Sequence, residues 1–204
     1  MLFIIYERIV TMDSAKKAKK EKRILQHIIP HIKKLVFSAM FLAIALVLPF
    51  LTGQIPQIGS ALSPMHIPVL LCGFICGWPW GLCVGFTAPL LRNLIFFTPP
   101  FPNNISMAFE LAVYGLLTGI LYRVFPKKLL YIYISLIISM IGGRIVWGTA
   151  SYIIFISGIS NTEFGLAAFW AGAVVNAIPG IILHIALIPP LVAAMKRARL
   201  MLNE

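Results

Sequence analysis

Arg92, Glu110 and Arg144 are ionisable residues set inside long apolar stretches, and that placement is the first chemical clue in this sequence. An ionised side chain at the centre of a membrane-spanning helix costs about 2.5–3.5 kcal/mol on insertion scales, so such residues face a partner or a wet cavity. Two guanidinium groups and one carboxylate admit two arrangements. In the first, Glu110 pairs with one arginine while the other snorkels outward, and the role is structural. In the second, Glu110 neutralises one guanidinium and the other holds a ligand carboxylate through two parallel charge-assisted hydrogen bonds. The second arrangement predicts a small anionic ligand.

Other polar residues are expected at the same level. His66, Asn93, Asn103 and Asn104 fall near helix ends, and Asn176 falls some ten residues into the last apolar run. Tyr114 follows Glu110 by one helical turn and Trp147 follows Arg144 by three residues, so each is positioned to share the face of the charge before it. Ordinary helix packing explains these two aromatics equally well. Aromatic walls beside a few directed polar groups suit a small organic ligand. His184 is expected deeper toward the cytoplasm, bonded to a neighbouring helix. Glu110 or His66 acting as a general acid or base in a membrane enzyme is the alternative. It has little to build on, because the chain has no G-x-S-x-G elbow, no H-E-x-x-H helix and no paired acidic motif. No catalytic residue is assigned. Nor is there a Walker motif, so any uphill transport draws its energy from another chain. Cys72, Cys76 and Cys83 have no ligating neighbours in sequence and read as small packing residues. His27 and His31 lie in a basic tract without matching ligands, and no metal site is expected.

The elements that must position these residues follow from composition. The chain is 60% hydrophobic and 11% charged, far from the roughly one-quarter charged residues of a soluble domain. Apolar runs at about 35–51, 64–78, 80–97, 105–124, 129–156 and 167–195 predict an all-α membrane protein of six transmembrane helices. Residues 1–34 form a basic cytoplasmic tail, 35–197 the six-helix membrane domain and 198–204 a C-terminal cytoplasmic tail. The Thr52–Ser63 loop, with Gly53, Pro56 and Gly59, is long enough to serve as a lid. Gly77–Gly81 makes a tight connection, Thr98–Asn104 a rigid proline-rich one, and Pro126–Lys128 and Ser157–Phe164 separate the last three helices.

Charge placement fixes the orientation. Nine of the seventeen Lys and Arg precede residue 35, three (Arg123, Lys127, Lys128) mark the fourth connection and three (Lys196, Arg197, Arg199) mark the end, whereas the first, third and fifth connections have none. Both termini are therefore expected in the cytoplasm, in the plasma membrane. Arg92, late in the third helix, and Glu110, early in the fourth, then share the outer half. Arg144, about fifteen residues into the fifth helix, lies roughly 22 Å along it, near the midplane. The tract from Lys16 to Arg23 reads as a contact for anionic lipid. It lacks the interleaved aromatics of a nucleic-acid stacking surface, and nucleic acid is not expected as a partner. The first apolar run is too short, and its flanks wrong, for a cleaved signal peptide. Met12 offers an alternative start.

Several local patterns together resemble the substrate-binding S component of energy-coupling factor (ECF) vitamin transporters, over about residues 33–197. They are Ala39-x-x-x-Ala43, the stretch Leu62-Ser63-Pro64-Met65-His66-Ile67-Pro68-Val69, Gly73-x-x-x-Gly77, Pro89-Leu90-Leu91-Arg92 and Met107-Ala108-x-Glu110-Leu111. The resemblance implies that Ala39 and Ala43 dock on a transmembrane coupling subunit driven by two ATPase subunits, small residues at this spacing permitting close helix approach. It implies that ATP is used by those partners and that this chain holds no cofactor. It also implies that substrate enters from outside beneath the first loop and leaves after the component topples in the membrane. The sequence looks most like the pantothenate-specific branch. Pantothenate has one carboxylate for Arg92 or Arg144 and hydroxyls and an amide for Asn176, Asn93 and Glu110; folate is the alternative among acidic vitamins.

Overall fold

A computed structural model of the 204-residue chain describes residues 2–52, 62–159, 165–173 and 175–203. The described residues contain helices and no strand: α1 (Leu2–Val47), α2 (His66–Cys76), α3 (Trp78–Phe96), α4 (Asn103–Val124), α5 (Leu129–Ile156), α6 (Leu166–Ala173) and α7 (Ile178–Arg197), with 3-10 turns at Leu48–Thr52 and Val175–Ala177. Helices suit a bilayer because each satisfies its backbone polar groups within its own segment. Residues 1–36, which include the basic tract, form one unit, and residues 37–204 form another. The core and every candidate site residue belong to the second.

Each of the six expected apolar segments is helical. Ile28–Phe50, Asn103–Val124, Leu129–Ile156 and Phe169–Arg197 are long and apolar enough to cross a membrane. α2 has 11 residues, about 16 Å of helix, shorter than a full crossing. The sixth segment, expected as one helix, divides into α6 and α7. Pro179, at the second position of α7, has no N–H with which to continue a preceding ladder and is tolerated where a new helix begins. The expected lid lies mostly at residues 53–61, outside the described residues, as do residues 160–164 of the fifth connection.

Helix ends follow local chemistry. Phe125, the residue before Pro126, is extended at ψ 156° and closes α4. α5 stops where Gly158 adopts φ +70° just beyond Ser157. Gly77, at φ +100°, separates α2 from α3.

α2 is the hub, with all but one of its residues buried. Val69, Cys72 and Ile75 pack with Phe41 and Ala45 of α1, Val84 and Ala88 of α3 and Leu111 of α4. Leu70 and Phe74 pack with Tyr114 and Tyr122 of α4, Leu136 of α5 and Ile188 and Val192 of α7. Cys72 behaves as a packing residue, its Sγ 3.6 Å from Ser38 Oγ. Beyond α7 the chain turns at Arg199, φ +57°, and folds back. The Leu202 N–H donates to Ile75 O at 2.8 Å, and Asn203 Nδ2 donates to Gly119 O at 3.0 Å.

α3 and α4 meet backbone to backbone. A Cβ on Gly115 would lie 2.1 Å from Gly81 O, and one on Gly85 would lie 2.2 Å from Leu111 O. Hydrogen is thus the only side chain either position accepts without parting the helices, the small-residue contact by which membrane helices gain van der Waals attraction. Gly115→Ala is expected to destabilise the protein by about 1–3 kcal/mol through overpacking. Thermal unfolding of the detergent-solubilised chain checks this, with Gly165→Ala, whose Cβ would meet nothing within 4 Å, as the control. Equal midpoints for the two variants would contradict the backbone contact.

Candidate functional site

Glu110 is buried eight residues into α4, and its Oε1 is the meeting point of three helices. Tyr114 Oη, one turn on, donates to it at 3.0 Å. Arg144 Nη1 from α5 pairs with it at 3.1 Å, and His66 Nε2 from the start of α2 lies 3.5 Å away. Helical spacing brings Tyr114 back over Glu110, and Gly143 makes room for it. A Cβ on Gly143 would stand 2.0 Å from Tyr114 Cε1, so the residue beside Arg144 must be bare for the phenol to reach the carboxylate. The His66 ring lies 5.2 Å from the Tyr114 ring and stacks on His184 of α7 at 5.7 Å and 21°. The sequence alone placed His184 apart from this group. Because α7 begins afresh at Ile178, His184 falls in its second turn, level with the start of α2.

Arg92 stands elsewhere. It is 3% exposed, its Nη1 donates to Leu46 O at the end of α1, and its guanidinium lies 5.1 Å from the Phe50 ring and 5.3 Å from the Phe96 ring. Both contacts are within cation–π range. Among the described residues no hydrogen bond or ion pair joins Arg92 to Glu110. The single constellation expected from helix depth is therefore two polar centres. One is a carboxylate–guanidinium pair with its phenol and imidazoles. The other is a cation walled by aromatic rings.

The remaining candidates are distributed as follows. Asn93 Nδ2 donates to Pro99 O at 2.7 Å, bracing the proline-rich connection. Asn104 is buried, and Asn103 Oδ1 lies 3.4 Å from Ser106 Oγ. Trp147, half-buried, stacks on Phe169 of α6 at 6.5 Å. Asn176 is exposed in the 3-10 turn between α6 and α7. Ala39 and Ala43 are exposed on α1, whereas Ser38, Phe41 and Ala45 face the core. Sequence reasoning missed Phe50, Phe96, Gly143 and His184. The only signal available for the phenylalanines was their position beside polar loops. Among the described residues no three of His, Cys, Asp and Glu lie together in a way that would hold a metal ion.

The charges do not cancel across the two centres. Glu110 is the only acidic residue described between 37 and 203, and it is committed to Arg144. Removing one partner of a buried pair strands the other, at a cost of about 3–5 kcal/mol when burial is complete; Arg144 keeps 17% side-chain exposure, so the lower end applies. Glu110→Ala is therefore expected to destabilise the protein more than the double variant Glu110→Ala/Arg144→Ala, as read by denaturant unfolding in detergent. Simple additivity of the two single changes would contradict the pairing.

The comparisons agree with this architecture. The profile of the family described as "ECF transporter, substrate-specific component" matches residues 33–192, a span that includes both polar centres. No curated protein and no solved structure matches the chain significantly. Members of the family are substrate-binding subunits rather than enzymes, and they work in a module with a transmembrane coupling protein and ATPases. This chain belongs to that family: it is the multi-pass, plasma-membrane substrate-specific component of an ECF transporter.

Proposed function

We propose that this component captures pantothenate for import, with Arg92 as the anchor for the carboxylate. The reading rests above all on one observation: two guanidinium groups are set into the membrane domain, only one carboxylate is described there, and that carboxylate is engaged by Arg144. The excess positive charge calls for an anion, and Arg holds a carboxylate through a planar fork of donors. Arg144 Nε is buried without a hydrogen-bond partner among the described residues, a donor suited to a ligand hydroxyl or amide oxygen. Glu110 and Tyr114 offer polar atoms on the same pair. His66, Asn93, Trp147 and Asn176 complete the proposed lining. Ala39 and Ala43, small and exposed on α1, are the proposed contact for the coupling subunit.

Equilibrium binding of radiolabelled pantothenate to the purified chain tests the ligand. Tight, unconsumed binding is expected. Arg92→Ala and Arg144→Ala should each weaken it by about ten- to a hundredfold, the range for a hydrogen bond to a charged group. Unchanged affinity in both variants would overturn the pocket, and displacement by folate but not by unlabelled pantothenate would reassign the vitamin. For the coupling face, Ala43→Phe should leave pantothenate binding intact while abolishing uptake in cells that carry the full module; uptake at the unsubstituted rate would reject Ala43 as part of that contact.

A further inference from the structure

The cation-rich end of the membrane domain contains a second feature that substrate capture does not use. Between the first turns of α5 and the last turns of α7 lies an open cleft of about 670 Å³, bounded by Leu129 and Tyr133 on one side and Pro190, Ala193, Ala194 and Arg197 on the other. Its volume falls within the roughly 300–1,000 Å³ of small-ligand sites. The alanines keep the α7 wall shallow. The cleft's frame is tied at this end, where Lys196 Nζ donates to Lys127 O at 2.9 Å and links α7 to the chain just before α5.

Position along the membrane normal gives the cleft two chemically distinct ends. Leu129 begins α5 and Arg197 ends α7, and the Lys and Arg that flank both ends mark headgroup level. Pro190, seven residues before Arg197, lies about 10 Å deeper at 1.5 Å per residue, with Tyr133 one turn into α5. The mouth is basic: exposed Lys128, Arg197 and Arg199 stand near Lys127 and Lys196, and no acidic residue is described at this end of the domain. The clustering of Lys and Arg assigns this end to the cytoplasmic side, where the leaflet is anionic and basic pockets between helices hold lipid headgroups.

We propose that this cleft binds an anionic phospholipid of the inner leaflet, with Arg197 holding the headgroup phosphate and an acyl chain lying along Tyr133, Pro190 and Ala193. A cation at headgroup level above an apolar trough complements the two ends of that molecule. Such a lipid would wedge α5 against α7, the two helices that carry Arg144 and His184.

Native mass spectrometry of the full chain in detergent, titrated with phosphatidylglycerol or phosphatidylcholine of identical acyl chains, tests the site. Phosphatidylglycerol is expected to bind about fivefold more tightly, the equivalent of roughly 1 kcal/mol for one basic contact. Arg197→Gln should erase the preference, Arg197→Lys should keep most of it, and Ala194→Phe, which fills the trough, should weaken both lipids. Arg123→Gln, an exposed cation at the end of α4, should leave the preference unchanged. Equal binding of the two lipids, an unaltered preference in Arg197→Gln, or an equal loss in Arg123→Gln would each overturn the proposal. Full displacement of phosphatidylglycerol by inorganic phosphate would assign the contact to a free anion instead, and would overturn it too.

Discussion

A carboxylate carried into a bilayer must be neutralised by the protein itself, and in this chain the Glu110–Arg144 pair at 3.1 Å meets that requirement. The consequences spread outward from it. Tyr114 and His66 add polar contacts that a single guanidinium cannot supply, and their positions fix where α2 begins and how α4 is rotated. Gly143 has to be bare so that Tyr114 reaches the carboxylate. Four helices are thereby held at one level by a cluster that has no use for lipid, and the apolar packing of α2 against its neighbours surrounds it.

The second constraint is close approach. α3 and α4 touch through Gly81, Gly85 and Gly115, and this contact places Arg92 on α3 and Glu110 on α4 in the same membrane domain without bringing them into contact. The separation has a functional consequence. Arg144 is matched by a carboxylate, whereas Arg92 is held by a carbonyl and two aromatic rings. Neither of those removes its charge. An enclosed guanidinium of this kind attracts an anion, and the proposed carboxylate anchor rests on that attraction.

Much of this was legible in the sequence. Apolar runs of the right length, broken by proline and glycine, marked out six helical segments. Residue depth put Arg92, Glu110 and Arg144 in the membrane, but depth is one coordinate. Which arginine meets Glu110 depends on helix rotation, and that is set by glycine contacts between backbones that no period in the sequence announces. Pro179 was visible as a residue; its effect was not, because α7 also contains Pro189 and Pro190 without a break. The division at Val175–Ala177 changed the surroundings of Asn176 and His184 together, leaving the first exposed and bringing the second onto His66. Phe50 and Phe96 were indistinguishable from any other apolar residue until the fold set them around a cation.

We propose that this arrangement of charge selects an anion. That selection is tested most directly by mass spectrometry of whatever small molecule the full chain retains when purified from its host without added vitamin. A carboxylate-bearing molecule is predicted at about one per chain, with pantothenate the expected mass, and it should be missing from Arg92→Ala protein that keeps its folded elution profile. Retention of a metal ion or a cationic vitamin, or of the same molecule by the Arg92 variant, would rule out anion selection by Arg92.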